Sequence, residues 1–286
     1  MFLQVSTLCA VISVWWRTGG AMAGVCTMDL GIRGKRAIVC ASSRGLGRAC
    51  AAALAQEGVS VVINGLDAER LKRVAGEIGG SSGVDVIPVA GDVGAPGTRD
   101  ALLAACPEPD ILVNNNAGPP LRDFMELSLD DMAAGVDANM FTPLAMIQAT
   151  LAGMRARKFG RIINITSSSV LAPIPGLDLS SGARAGLTSF LAGVARQCAQ
   201  DNVTINNILP GAFDTDRLKV TMAGAARQRG VGIEEIKQAR AAAIPARRLG
   251  QPDEFGALCA YLASVHTGYI TGQNMLIDGG AVQTAF

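Results

Sequence analysis

From residue 28 onward the chain alternates short apolar, β-branched runs with longer stretches whose apolar residues recur at helical spacing. The first run contains Ile38 and Val39; others cover 59–64, 84–90, 110–114, 161–166, 203–209 and 274–278. Between them the spacing predicts a helix opening near Ala49 and one capped by Asp67 that ends near Ile78, before a Gly/Ser-rich loop at 79–83. A short helix over 98–105, a long one from Ser128 to about Lys158 and another from near Ser180 to Gln200 follow. Strands that are apolar along their whole length are buried on both faces, which is the signature of a parallel sheet covered by helices. The pattern predicts an α/β fold: a single doubly wound Rossmann domain over 28–286, with a seven-stranded parallel sheet, helices on both faces and a C-terminal cap of helices over about 216–264. No repeat or linker divides it.

Residues 1–27 differ. Leu8 to Trp16 form an apolar run too short to span a bilayer, and Ala21-Met22-Ala23 resembles a cleavage site. A secretory signal carries Lys or Arg before the run and none stands there, so the segment reads as a disordered extension or the product of an upstream start codon rather than an export signal.

Composition narrows the function. With 25 basic against 24 acidic residues there is no field to attract nucleic acid or an anionic membrane, and two Trp and two Tyr provide no stacking platform for single strands. Seven cysteines without a C-x-x-C pair point to buried, reduced thiols and, with them, a cytoplasmic location. The single histidine, His266, leaves no multi-histidine metal site and almost no room for a Ser-His-Asp triad; it reads as surface or packing.

The candidate site lies where such sheets bind ligands, beyond the carboxyl ends of the strands at the reversal of winding. The first strand runs into Cys40-Ala-Ser-Ser-Arg-Gly-Leu-Gly47 and then a helix, which directs backbone N–H groups and a positive helix end at one point, suited to a phosphate or pyrophosphate. The other strand ends carry Asn64, Asp92-Val93, Asn114 to Gly118, Ser167 to Ser169 and Pro210-Gly211. Pro119-Pro120 stiffens the loop after the fourth strand and edges the pocket. The segment 216–246 reads as a mobile substrate lid, in which Met222, Ala223 and Gly224 suit an apolar substrate or a packed helix pair equally well.

Taken together, these stretches resemble the short-chain dehydrogenase/reductase superfamily over essentially all of 28–286. The glycine loop is similar to that family's T-G-x-x-x-G-x-G, with Cys40 and Ala41 in the first two places. Asn114-Asn-Asn-Ala-Gly118 resembles N-N-A-G with one asparagine too many, readable as 115–118 or 114–117. Asn139, Asn164-Ile-Thr-Ser167, Pro210-Gly-Ala-Phe-Asp-Thr215 and Ile277-Asp-Gly-Gly280 fall at family spacing. The resemblance implies a dinucleotide held by Ser42, Ser43, Arg44, Gly45, Leu46, Gly47, Asn64, Asp92, Val93, Asn115, Asn116, Ala117, Gly118, Arg184, Pro210, Gly211 and Thr215. It implies an active serine at Ser167 and a helix asparagine at Asn139, and, by analogy, a homotetramer or homodimer through the two long helices.

One departure matters. The family's Tyr-x-x-x-Lys falls thirteen residues beyond Ser167, where this chain has Ser180, with Arg184 four further on. The only tyrosines, Tyr261 and Tyr269, have no lysine at that spacing. A serine hydroxyl is a far weaker acid than a phenol, whose unperturbed pKa is about 10, so Ser180 cannot simply replace it. Arg184 can hydrogen-bond the nicotinamide ribose and supply charge, but it holds its proton. A water held by Ser167, Ser180 and Asn139 is one bridge; Asp178 is a second candidate, although as written it reads as a helix N-cap. The Ser/Arg pair is similar to a divergent branch labelled 3-oxoacyl-acyl-carrier-protein-reductase-like. Arg44, and the lack of a carboxylate at Asn64-Gly65-Leu66, lean towards NADP(H) over NAD(H). The expectation is an NADP-dependent oxidoreductase of a small carbonyl or alcohol, with Ser167, Asn139, Ser180 and Arg184 at the reaction centre. The alternative is a dinucleotide-binding regulatory or scaffold protein without hydride chemistry.

Overall fold

The computed structural model describes residues 28–118 and 121–283. The expected extension at 1–27 and the Pro119-Pro120 edge lie outside the described residues. Seven strands, β1 (Arg36–Val39), β2 (Ser60–Gly65), β3 (Val86–Ala90), β4 (Ile111–Asn114), β5 (Gly160–Ile165), β6 (Val203–Pro210) and β7 (Asn274–Ile277), form one all-parallel sheet in the order β3-β2-β1-β4-β5-β6-β7. The expected doubly wound α/β fold is therefore what the chain adopts, with its switch point between β1 and β4.

Strand alternation builds two cores. Ala37 and Val39 of β1 and Val61 and Ile63 of β2 face one side, where they meet Leu54 of α1 (Gly45–Gln56), Leu71 of α2 (Ala68–Ser82) and Phe255 and Cys259 of α9 (Pro252–Ala263). Ile38 and Val62 face the other, against Leu102 of α3 (Pro96–Ala105), Met146 of α5 (Thr142–Ala156) and Leu187 and Leu191 of α6 (Asp178–Cys198). The inner strands β1, β2, β4, β5 and β6 are buried on both faces, while the edge strands β3 and β7 stay partly exposed.

Several boundaries differ from the sequence expectation. Asp67 does cap α2, accepting from the Arg70 N–H at 3.0 Å, but α2 continues through the expected glycine loop to Ser82 and stops at Gly83, which takes the left-handed conformation with φ 74°. The expected long helix over 128–158 is three pieces: α4 (Leu129–Val136), a π-turn (Asp137–Phe141) and α5. Pro143 explains the break, because it has no N–H to offer the Asn139 carbonyl one turn earlier, and the Thr142 N–H reaches back instead to Asp137. Asp178 is not the N-cap of α6; Leu177 is, without a side-chain bond, and Asp178 sits in the first turn, where its charge suits the helix end. Only α7 (Asp216–Arg229) and α8 (Ile233–Ala243) form the C-terminal cap, since α9 belongs to the main layer against α1. Met222, Ala226 and Ile236 make a small core of their own between α7 and α8, so Met222 serves the helix pair. Cys40, Cys50, Cys106, Cys198 and Cys259 are free and buried. The His266 ring is on the surface, its Nε2 2.7 Å from the Asp29 carbonyl.

Candidate active site

The glycine loop leaves β1 through Ala41, which holds φ 44° despite its side chain. Left-handed backbone costs an alanine roughly 1–2 kcal/mol. Asn64 and Asn115 hold it there: the Ala41 N–H donates to Asn64 Oδ1 at 3.2 Å, and Asn115 Nδ2 donates to the Ala41 carbonyl at 3.0 Å. Gly47 is required by closeness, because a Cβ there would lie 2.5 Å from the Ala41 carbonyl oxygen. The N-cap of α1, Arg44, is extended and makes no side-chain cap bond, and no acidic residue stands in the first turn. The helix end therefore keeps donors and positive charge for a phosphate, and the loop fits a dinucleotide's diphosphate.

The residues expected to hold the cofactor divide into two kinds. Ser42 and Asn64 are fully buried and engaged within the protein: Ser42 Oγ donates to the Val39 carbonyl at 2.7 Å, and Asn64 Nδ2 donates to the carbonyls of Val89 and Gly91. Both brace the loops at the ends of β1, β2 and β3 and have no side-chain group left for a ribose. Val93 is buried and Asp92 Oδ1 accepts from the Gly94 N–H at 2.8 Å, which shapes the turn after β3. Ser43 lies against Gly65, Arg44 is exposed, and Gly45 faces the Thr215 methyl group. Leu46 packs against the first core. Gly211 sits tightly on Asp278 after Pro210, and Thr215 caps α7 by accepting from the Leu218 N–H.

The extra asparagine is settled by the strand register. Asn114 is the last residue of β4, buried, and its Nδ2 donates to Asn164 Oδ1 at 2.9 Å; Asn164 donates to Asn207 at 2.9 Å, and Asn207 to Asn274 at 2.8 Å. This ladder crosses four adjacent strands and was not anticipated from the sequence, although the four positions are register partners. Asn115 to Gly118 thus form the loop proper. Asn116 Nδ2 donates to the Ala138 carbonyl at 3.0 Å, tying this loop to the π-turn, and Ala117 and Gly118 follow at the pocket edge.

Among the residues expected at the reaction centre, Ser167 Oγ accepts from both the Ser169 N–H at 3.1 Å and the Ser169 hydroxyl at 2.9 Å. With the Ser169 hydroxyl as donor, both lone pairs are occupied and the Ser167 O–H is left to donate. Ser180 and Arg184 are buried neighbours on α6, with Arg184 Nε donating to Ser180 Oγ at 3.0 Å. Arg184 Nη1 donates to the Ile165 carbonyl at 2.6 Å, and Nη2 approaches the Asn116 carbonyl at 3.5 Å. Burial, helped by the charge of Arg217, pushes the Arg184 guanidinium down to about 10, which still leaves it charged at neutral pH. Asn139 lies in the π-turn with Nδ2 on the Gly135 carbonyl, while its Oδ1 and the Thr142 hydroxyl are buried without a partner. Both line a cavity of about 20 Å³ shared with Asn116 and Arg184, space and polarity enough for one water. Beside it opens a pocket of about 270 Å³ lined by Ala117, Gly118, Ala134, Gly135, Asn139 and Leu179.

The comparisons with known proteins agree with this geometry. Residues 40–282 match the family model described as enoyl-(acyl carrier protein) reductase. The chain belongs to the short-chain dehydrogenase/reductase superfamily. It is 32% identical over 257 residues to the 3-oxoacyl-[acyl-carrier-protein] reductase FabG of Aquifex aeolicus, covering 88% of this chain and 99% of that one. It is 29% identical over 255 residues to the NADPH-dependent reductase BacG of Bacillus subtilis, covering 87% and 98%. Among solved structures it is similar to L-sorbose reductase from Gluconobacter frateurii complexed with NADPH and L-sorbose, with a TM-score of 0.85 and 29% identity over 90% of this chain and all of that one. Among the described residues no helix is long and apolar enough to cross a membrane, and no cluster of three or more metal-ligating side chains occurs.

Proposed function

We propose that this chain interconverts a small carbonyl compound and its alcohol by hydride transfer with NADP(H), through an active site in which a Ser180–Arg184 pair replaces the usual tyrosine and lysine. That it is an NADP-dependent oxidoreductase rests on its family and on the NADPH-dependent reductases it resembles. The observation that carries the finer reading is Ser167, which Ser169 holds through its N–H and hydroxyl in an arrangement that leaves the Ser167 O–H to donate.

When bound, NADPH supplies the hydride. The helix end at Gly45, the Gly47 approach and the loop of Asn115 to Gly118 hold the dinucleotide, and Arg44 favours a 2′-phosphate. Ser167 donates to the substrate oxygen and stabilises the charge that develops there. Ser180 accepts from Arg184, so its hydroxyl proton is directed away from the guanidinium. Arg184 keeps a positive charge beside the developing alkoxide, and the proton that completes the alcohol comes from solvent through a water held by Asn139 and Thr142. The working unit is the single domain from Met28 onward, in the cytoplasm. The exposed Phe141 and Phe190 beside the long helices suit packing against a second copy in a homodimer or homotetramer.

Titration with NADPH and NADH followed by nicotinamide fluorescence, then a carbonyl panel, tests this. Binding and turnover that fall with Ser167→Ala support it. Tight binding with no turnover on any carbonyl or alcohol would instead favour the dinucleotide-binding scaffold.

A further inference from the structure

The pocket of about 270 Å³ beside the water cavity has no task in the mechanism above. It lies between the loop after β4, α4 with its π-turn, and the first turn of α6, and its walls are nearly bare of side chains. Ala134 and Gly135 of α4, Ala138 of the π-turn, and Ala117 and Gly118 of the loop leave the space open. Among its described lining residues Leu179 is the one large apolar side chain. It already rests on the helix, since a Cβ at Gly135 would lie 3.3 Å from the Leu179 Cβ. The edge is held in place as well. Asp131 Oδ1 accepts from Arg122 at 2.9 Å, and its Oδ2 accepts from the Ser128 N–H and hydroxyl, so the two charges at the pocket neutralise each other. The Arg122 N–H donates to the Gly176 carbonyl at 3.1 Å, which ties the loop after β4 to the one before α6. Between this pocket and the water cavity stands Asn139, 3% exposed, whose Oδ1 is buried without a partner.

We propose that this pocket is a substrate subsite for an uncharged, ring-sized apolar substituent that carries one hydrogen-bond donor, such as the hydroxylated ring of an aryl ketone. That the ligand is a substrate rests on the reductase reading above; the pocket and its ligand class do not. Size sets the first limit: an apolar cavity of about 150 Å³ holds benzene, so this one takes a ring with a few attached atoms. Charge sets the second, because the Arg122–Asp131 pair leaves no lone ion to meet a charged group. Asn139 sets the third. Its amide oxygen accepts two hydrogen bonds, so the water of the small cavity and a ligand hydroxyl can share it. Apolar walls with one such polar group are how small-molecule pockets fix orientation. The pocket also adjoins the reaction centre, because Leu179 precedes Ser180 in α6 and Asn139 shares its cavity with Arg184. A ring seated there places the carbonyl attached to it beside the residues of that centre.

The test titrates the full chain with 4-fluorophenol, fluorobenzene and 4-fluorobenzoate in the presence of NADP+, followed by fluorine NMR. Ala134→Leu fills the pocket and should weaken 4-fluorophenol by at least about tenfold, with Ala134→Val between it and wild type. Unchanged melting and NADP+ affinity of these variants show that the loss is not unfolding. Fluorobenzene should bind wild type roughly two- to tenfold more weakly than 4-fluorophenol, and Asn139→Ala should erase that difference. In turnover, Ala134→Leu should lower the kcat/KM ratio of 3′-hydroxyacetophenone to acetone by at least about tenfold. No binding of either neutral probe, or binding that both Ala134 variants leave unchanged, would overturn the subsite. Tighter binding of 4-fluorobenzoate than of 4-fluorophenol would overturn the uncharged class. Binding that depends on Ala134 without turnover of any carbonyl would sustain the pocket and sink the hydride reaction; turnover without such binding would do the reverse.

Discussion

Replacing Arg184 with methionine separates what the residue does for the fold from what it does for the reaction. The depression of its guanidinium to about 10 corresponds to roughly 3 kcal/mol of cost in keeping a charge buried. Methionine of similar length removes that cost. It also removes the donors to Ile165 and Ser180, of which the buried Ile165 carbonyl is the one left stranded, at about 1–3 kcal/mol. The two effects nearly cancel, as is common when a buried charge is exchanged for an apolar side chain. The variant should therefore melt within about 6 °C of wild type, at roughly 2–4 °C per kcal/mol for a domain of this size. The reaction has no such compensation. Ser180 loses the donor that orients it and the developing alkoxide loses its nearest charge, so kcat should fall by about 10²–10³, the usual effect of deleting one stabilising donor. Calorimetry and steady-state reduction on the same sample read both quantities. A melting point more than about 15 °C lower, with activity tracking the folded fraction, would make Arg184 a strut and refute its assignment to the reaction centre.

Restoring Ser180→Tyr with Arg184→Lys together should raise the reduction rate about tenfold or more, since a phenol near a lysine is the stronger acid; an unchanged rate in a folded variant would mean that proton delivery does not limit turnover. Asn164→Ala should destabilise by about 2–4 kcal/mol, because it strands the Asn114 amide and the Asn207 carbonyl oxygen inside the sheet, and urea unfolding measures it. Acid should destabilise the fold. The Glu254 carboxyl, held down to about 2 first by Arg248 and then by the Gln251 N–H, and the Asp201 carboxyl, lowered by Lys158 and Arg155, both contribute above their unfolded values. That contribution is lost as pH falls from about 4.5 toward 2, so melts at pH 7, 4 and 2.5 should step downward. Arg184 has the opposite sign: its folded value lies below its unfolded one, so it costs stability throughout the range below about pH 10, and that cost is relieved only as pH rises above it.

Continuous apolar runs made the sheet legible, because strands covered on both faces can hardly be written in any other residues. Helix ends were less legible. Gly79 and Gly80 look like a loop, yet α2 runs through them because Leu71, Val74 and Ile78 hold its buried face on the core. The break at the π-turn was written in Pro143, but the position of a missing N–H becomes informative only once the helix register is known. The asparagine ladder was hidden for a different reason. Asn114, Asn164, Asn207 and Asn274 lie far apart in sequence, and only strand order makes them neighbours. Asn64 shows the converse error: a polar residue at a strand end reads as a ligand contact, yet all its polar atoms are used to hold Ala41 and the turn after β3.

The same distinction bears on the missing tyrosine. Had Ser180 been a simple loss, the lysine position would have had no reason to change with it. In this fold the two positions lie one turn apart on α6, and the residues now there are bonded to each other, Nε to Oγ, while the guanidinium also reaches the end of β5 and the loop after β4. A lysine has one terminal nitrogen and could not span those contacts in the plane of a fork. The serine, in turn, leaves the room that a branched guanidinium needs within a buried site. The two side chains thus act as one bonded unit, a buried positive charge that orients a hydroxyl. A scaffold protein freed from chemistry has no physical need for that combination.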